Sequence, residues 1–249
     1  MEKQKDRGRK KAENPRRNPF ERPDPSRNER EAILIALEDE KSSRFYFDAI
    51  KKFLRNSRMI VLAEHEGSDP DSVVSSAKRR FDQQARAAET DLYSAAFDRK
   101  NVWIVFDTEG PQNDQRRQAA KKALDRLHSL NFRSAISNPS FEFWLLLHFE
   151  YFVGVLQDGK AVCKRLEKHL KDFKKGVGCF EMTREKLATA VENSKRIFKE
   201  RGDDGLSSCE VHPSTEIHNI VIELIPELVI STKRKNPQKA KKRQQKPIV

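Results

Sequence analysis

The chain has 249 residues, of which 36% are hydrophobic and 35% charged, and its formal net charge is +12. This length suits one α/β domain of roughly 200 residues with tails, and no stretch approaches the ~20 consecutive apolar residues of a membrane span. The three cysteines, an odd number, form no disulfide framework, so we expect a reduced, cytoplasmic protein.

The positive charge is concentrated at the two ends of the sequence. Residues 1–30 contain eleven Lys/Arg and six Asp/Glu, and residues 233–249 contain eight Lys/Arg and no acid. Because both ends lack apolar residues to bury, we expect a disordered basic arm over 1–30 and a disordered basic tail over 231–249. Such ends either contact nucleic-acid phosphates or only keep the protein in solution. Residues 31–232 are close to neutral.

The first predicted strand is the apolar run Ala32–Leu37, which stops at three acids that begin with Glu38. Lys41 and Ser42 then lead into a helix whose apolar residues have the spacing of a core-facing stripe. Glu38 therefore lies at the carboxyl end of a strand, where a ligand site is expected in an open α/β sheet. Its alternative role is that of an acid favoured at a helix start by the macrodipole.

Strands and helices then alternate. Short apolar runs predict strands over 59–63, 101–106 and 132–136, and amphipathic stretches predict helices over 72–92 and 115–130. Together with the first strand and helix, the order is βαβαβαβ. This order predicts an α/β fold with a parallel sheet flanked by helices.

The strand that ends at Phe106 carries the main chemical signal. Its run NVWIVF is apolar at five successive positions, as in a strand buried on both faces, and it stops at Asp107-Thr108-Glu109-Gly110. Two acids one residue apart at this position can direct their oxygens toward one divalent cation, and Mg²⁺ prefers such ligands. Alternatively, Asp107 and Glu109 only cap the following helix.

The stretch NPSFEFWLLLHF over 138–149 predicts a buried helix. Asn138 suits the N-cap position and Pro139 the first helical position. Because the helix is apolar nearly all round, Glu142 and His148 need partners. Glu142 would lie level with the strand-end acids, whereas for His148 a satisfied core histidine is the alternative to a functional role.

The remainder of the chain predicts helices. Residues 151–199 are amphipathic apart from an interruption at 176–178, residues 212–215 resemble a helix start, and 217–228 form a closing amphipathic helix. Cys209 and His212 have a C-x₂-H spacing, which Cys163 and Cys179 could complete into a zinc site. Their pattern matches no paired zinc knuckle, which favours buried free thiols.

Four segments resemble the RloB family, whose members are Toprim-like proteins of bacterial defence. These segments are ILIALEDEKSSRFYF (33–47), NVWIVFDTEG (101–110), NPSFEFWLLLHF (138–149) and HPSTEIHNIV (212–221). The third is the most specific, and the resemblance covers about residues 32–225. The sequence departs from the family pattern at four positions: Asp39 replaces Gly, Ser42 replaces Thr, Ser43 replaces Glu, and Glu109 replaces Asp.

The resemblance implies a metal-dependent nuclease that acts on RNA, tRNA included, or on DNA in anti-phage defence of the abortive-infection type. Asp107, Glu109 and Glu142 would hold Mg²⁺ or Mn²⁺. Glu38 would be the general acid or base, and Lys41 would contact a phosphate.

The remaining implied residues are Ser42, Asn138 and His148, which are the substrate-binding candidates. We also expect the basic ends to hold nucleic acid and a defence-system protein to act as partner, without a membrane. The expected organisation is a Toprim-like α/β core over 31–150 and a helical extension over 151–230 that packs on it.

Two other hypotheses remain. In one, the site is degenerate and the protein is a non-catalytic nucleic-acid-binding or sensor module. In the other, the protein is a plain α/β scaffold whose strand-end acids are helix caps. Carboxylates of Glu38, Asp107, Glu109 and Glu142 that lie far apart would exclude the nuclease. Carboxylates that converge but hold no metal would favour the binding module.

Overall fold

The computed structural model describes residues 32–54, 60–63, 67, 69–90, 97–171, 173, 178–201 and 209–235. The predicted basic arm and all but the first five residues of the predicted basic tail lie outside these ranges. Those five residues, 231–235, are helical. The tail prediction therefore began too early.

The described residues form five strands, nine α-helices and two 3₁₀ turns. The strands are β1 (Ile33–Leu37), β2 (Ile60–Ala63), β3 (Val102–Asp107), β4 (Arg133–Asn138) and β5 (Ser214–Thr215). The first helices are α1 (Ser42–Phe53), α2 (Pro70–Thr90), α3 (Asp114–Leu130) and α4 (Glu142–Leu147). The later helices are α5 (Gly159–Leu166), α6 (Cys179–Thr183), α7 (Leu187–Arg201), α8 (Ile217–Leu224) and α9 (Pro226–Lys235). The 3₁₀ turns are Arg99–Asn101 and Arg184–Lys186.

The strands form one sheet in the order β2-β1-β3-β4-β5. The first four are parallel, and β5 pairs antiparallel with β4. This topology confirms the predicted α/β fold and the alternation of strands and helices. Because β1 and β3 are adjacent and parallel, their carboxyl ends meet at the same edge of the sheet.

Each face of the sheet has its own hydrophobic core, which explains the continuous apolar runs. Side chains alternate along a strand, so Ile33 and Ile35 join one cluster while Leu34 and Ala36 join the other. Helices α2 and α3 cover the second cluster. Helices α1 and α4 and the later helices cover the first. Residues 151–230 thus share a core with the sheet and add a strand to it, while the predicted boundary at 150 stays a prediction.

Three local predictions were wrong. Asn138 ends β4 instead of capping a helix, so α4 begins four residues later at Glu142. Residues 151–158 are not helical, and α5 begins at Gly159. Residues 214–215 form β5 instead of a helix start, because they complete the sheet edge beside β4.

No helix in the described part of the chain is both long and apolar enough to cross a membrane.

Candidate active site

A cleft of about 760 Å³ lies where β1 and β3 end. Among the described residues, seven carboxylates and two lysines line it, together with Pro139, Ser140 and Gly159. The carboxylates belong to Glu38, Asp39, Glu40, Asp107, Glu109, Glu142 and Asp158, and the lysines are Lys41 and Lys160. The strand-end acids predicted from the sequence therefore come together in one strongly acidic cleft.

Glu38 is held by two donors. The backbone N–H of Asp107 donates to Glu38 Oε2 at 2.9 Å, and Nη2 of Arg116 in α3 donates to Glu38 Oε1. Nε of Arg116 also donates to the carbonyl of Asp107 at 2.9 Å. The side chains of Arg116 and Glu38 are only 9% and 11% exposed. Burial raises the pKa of Glu38, although Arg116 opposes the shift.

Asp107 accepts a hydrogen bond of 3.1 Å from the backbone N–H of Phe141, just before α4. Burial raises the pKa of Asp107 well above its ordinary value, and the neighbouring carboxylates of Glu142 and Glu38 raise it further. Like charges therefore repel one another at the centre of this cleft.

Glu142 is 2% exposed and lies in the first turn of α4. The hydroxyl of Ser42 donates to its Oε1 and the hydroxyl of Ser140 donates to its Oε2, both at 2.7 Å. These two bonds fix the orientation of the carboxylate toward the cleft. Ser42, predicted to bind substrate, thus contacts a predicted metal ligand.

Glu109 has a φ of +62°, a left-handed conformation that costs a non-glycine residue energy. Its backbone N–H donates to the carbonyl of Pro139 at 2.9 Å, which holds it in place. Its side chain is 56% exposed and accepts a hydrogen bond of 2.8 Å from Asn113. Strained residues of this kind concentrate at functional sites.

Asp39, which replaces the glycine of the family pattern, acts at the start of α1. Its carboxylate accepts hydrogen bonds of 3.0 Å from the backbone N–H groups of Lys41 and Ser43. The substitution therefore stabilises the first helical turn. Lys41 itself is exposed at the rim of the cleft.

The donor set of the cleft fits a hard divalent cation in its chemistry, since it consists of carboxylates that repel one another. As they stand, however, no three His, Cys, Asp or Glu side chains among the described residues are grouped to hold a metal ion. Glu38 is engaged by Arg116, Glu109 by Asn113, and Glu142 by two serines. The zinc site considered for Cys209 and His212 is likewise not formed among the described residues. The three cysteines are free thiols, as the sequence favours.

A family model described as RloB-like protein matches residues 33–224. The chain belongs to the RloB-like protein family. The match spans every cleft residue named above and all four segments that carry the resemblance. No curated protein and no solved structure matches this RloB-like chain.

Asn138 and His148 of this RloB-like protein do not line the cleft. Nδ2 of Asn138 donates to the carbonyls of Cys209 and Val211, and its Oδ1 accepts from Nδ1 of His212. His148 is 1% exposed and bonds the carbonyl of Trp144, and burial lowers its pKa to about 3. Asn138 is therefore held by hydrogen bonds within the protein. Nε2 of His148, by contrast, is buried without a hydrogen-bond partner in the described part of the chain, so His148 is not the fully satisfied core histidine of the alternative prediction.

Sequence reasoning missed three contributors to the site. Arg116 is one of several charged residues on α3, and nothing in its neighbourhood marks it as the partner of Glu38. Ser140 sits two residues before Glu142, where the family signature accepts any residue. The start of α5 follows a segment with no regular structure, and only its packing brings Asp158 and Lys160 to the cleft.

Proposed function

We propose that this protein is a Toprim-like nuclease that requires Mg²⁺ or Mn²⁺ and hydrolyses phosphodiester bonds in RNA or DNA. The observation that carries the proposal is the carboxylate cluster around Asp107, where burial and then the nearness of Glu142 and Glu38 raise the pKa of Asp107. Perturbed carboxylates in an open cleft are typical of catalytic sites. Anti-phage defence is part of the proposal and rests on the family resemblance.

Asp107, Glu109 and Glu142 are the residues that would hold the cation. When bound, the cation neutralises charge on the scissile phosphate and its leaving oxygen. Ser42 and Ser140 keep Glu142 oriented.

Glu38 is suited to carry the proton that moves during hydrolysis. Its raised pKa is in the direction that a general acid or base requires near neutral pH. Arg116 holds it beside Asp107 through its bonds to both residues. Lys41, exposed at the rim, contacts the phosphate of the substrate.

A second function is favoured by the ion pair between Glu38 and Arg116. A guanidinium that occupies the proposed acid or base is compatible with a non-catalytic nucleic-acid-binding or sensor module. In that case the acids no longer bind a cation, and the protein acts through binding alone.

The test combines cleavage with cation binding. Purified full-length protein is incubated with labelled RNA and DNA in Mg²⁺, Mn²⁺ or EDTA, beside the variants Asp107→Asn and Glu142→Gln. Asp125→Asn, an exposed acid on α3, is the matched control. We expect cleavage that EDTA abolishes. Each of the two site variants should lower the cleavage rate by more than ~10–100-fold, which is the loss typical when a residue that only supports a metal ligand is replaced.

The second readout is thermal unfolding with and without cation. A bound cation should raise the melting temperature of the wild type and of Asp125→Asn, but not of the site variants. Intact nucleic-acid binding without cleavage and without any cation-induced shift would overturn the nuclease proposal and favour the binding module.

A further inference from the structure

A row of lysines runs along α5 away from the cleft. Lys160 and Lys164 lie on α5, and Lys168 lies in the turn that follows the helix end at Leu166. These three lysines, here called the α5 lysine ridge, are spaced four residues apart in the sequence and are all exposed. At 1.5 Å per residue, Lys160 and Lys164 are about 6 Å apart along the helix. The opposite side of α5 carries Val162 and Leu166, both 0% exposed and packed in the core.

The ridge begins inside the acidic cleft. Lys160 lines the cleft together with Asp158 and Gly159. Gly159 packs so closely on Ser140 that an added Cβ would lie 3.1 Å from the Ser140 hydroxyl. Because Ser140 also holds Glu142, the start of the ridge is fixed relative to the proposed catalytic acids.

The ridge lysines are not neutralised within the described part of the chain. None of the three has an ion pair there, whereas Lys78 pairs with Asp82 and Lys121 pairs with Glu210. Glu167 is the single acid in the sequence from 159 to 168. The ridge is therefore a line of positive charges that leads directly to a strongly negative cleft.

We propose that the α5 lysine ridge binds the phosphate backbone of a single nucleic-acid strand and leads it into the cleft. A strand carries evenly repeated negative charges, and exposed lysines that recur every four residues along one segment can contact successive phosphates. An anionic membrane is a poorer match, because its continuous negative surface would also face the cleft acids. The inference deepens the proposed function and rests on it for the meaning of the cleft.

The test replaces the outer two ridge lysines, which do not line the cleft, in the double variant Lys164→Gln/Lys168→Gln. The matched control is Lys195→Gln/Lys199→Gln, which removes an exposed lysine pair of the same spacing from α7. Both full-length variants keep the same basic ends. The probes are labelled single-stranded RNA and DNA homopolymers, and binding is measured in EDTA so that no cleavage occurs.

We expect the ridge variant to bind more weakly than the control and to show a shallower salt dependence. Because each phosphate contact on a single strand contributes ~0.7 to the steepness of log K against log salt, the loss of two contacts should make this slope shallower by about 1.4. Thermal unfolding of both variants checks that exposed Lys→Gln changes leave the fold intact.

Equal affinities and slopes for the ridge and control variants would overturn the proposal. Unchanged nucleic-acid binding with weaker binding to phosphatidylserine vesicles would also overturn it, in favour of a membrane surface. The result is independent of catalysis. If the ridge variant binds nucleic acid more weakly but the wild type cleaves nothing, only the nuclease proposal is refuted. If the wild type cleaves nucleic acid and the ridge variant binds it as well as the control does, only the ridge proposal is refuted.

Discussion

Gly110 lies in the loop between β3 and α3 and has a φ of +104°. A Cβ added there would lie 2.1 Å from the backbone carbonyl oxygen of Gln157, the residue before Asp158 of the cleft. Replacing Gly110 by Ala therefore changes both the local backbone energy and a contact between two backbone segments. The change tests whether the cleft wall depends on this close approach.

Two effects add to the cost of Gly110→Ala. A left-handed conformation costs an L residue roughly 1–2 kcal/mol, partly offset by about 0.4–1 kcal/mol from a less flexible unfolded chain. Ordinary contact begins at 3.4 Å, so the carbonyl of Gln157 must move by about 1.3 Å. Overpacking of this kind costs typically 1–3 kcal/mol. We expect a total loss of about 1–5 kcal/mol.

Gly67→Ala is the matched control. Its φ of +96° is similar, but an added Cβ would lie 3.4 Å from its nearest neighbour, Ser72 Oγ. Urea unfolding should show that Gly110→Ala loses about 1–3 kcal/mol more than Gly67→Ala. Gln157 precedes Asp158, which lines the cleft, so moving Gln157 also moves the cleft wall. A misplacement of ~1 Å in an active site can lower the rate about 100-fold, and we expect any cleavage activity to fall by that factor.

Equal losses of unfolding free energy in the two alanine variants would refute this reasoning. That result would mean that the backbone near Gln157 yields without cost. It would also mean that the wall of the cleft is not fixed by its contact with the loop after β3.

Two further predictions concern the charges of the cleft. Arg116→Ala leaves the carboxylate of Glu38 buried without its partner, so urea unfolding near neutral pH should show a loss of about 3–5 kcal/mol. Arg117→Ala, which removes an exposed pair with Asp114, should cost about 0–1 kcal/mol, and similar losses would contradict the buried pair. Asp107→Asn removes a carboxyl group whose pKa is raised in the folded state. Because the folded wild type then binds more protons than the unfolded chain, its unfolding free energy falls as pH rises from near 3.8 through the raised pKa. In EDTA, the melting temperature of Asp107→Asn should therefore rise relative to that of the wild type as the pH increases. A difference between the two that stays constant with pH would contradict the raised pKa of Asp107.

Local patterns in the sequence were sufficient to predict the four parallel strands of the sheet and the acids at their carboxyl ends, but not β5. Strands buried on both faces must be apolar at successive positions, so β1 and β3 are visible as runs that end at Glu38 and Asp107. The alternation of such runs with amphipathic stretches fixes a parallel sheet. In a parallel sheet, acids that follow neighbouring strands lie at the same edge.

Helix starts were predicted less well. Asn138 has the residue type of an N-cap, but its amide is needed by the carbonyls of Cys209 and Val211, more than 70 positions later. Capping preference is a local tendency, and a set of buried hydrogen bonds outweighs it. The residue therefore continues β4.

The sequence by itself determined the α/β order, the strand-end position of the acids and the burial of the helix that carries Glu142. Only the tertiary structure decided what those acids contact. Arg116 reaches Glu38 across 78 positions and Ser42 reaches Glu142 across 100. Helix α5 brings Lys160 to the cleft through the packing of Gly159 on Ser140. Periodicity and propensity describe neighbours along the chain, whereas these contacts depend on how whole elements pack.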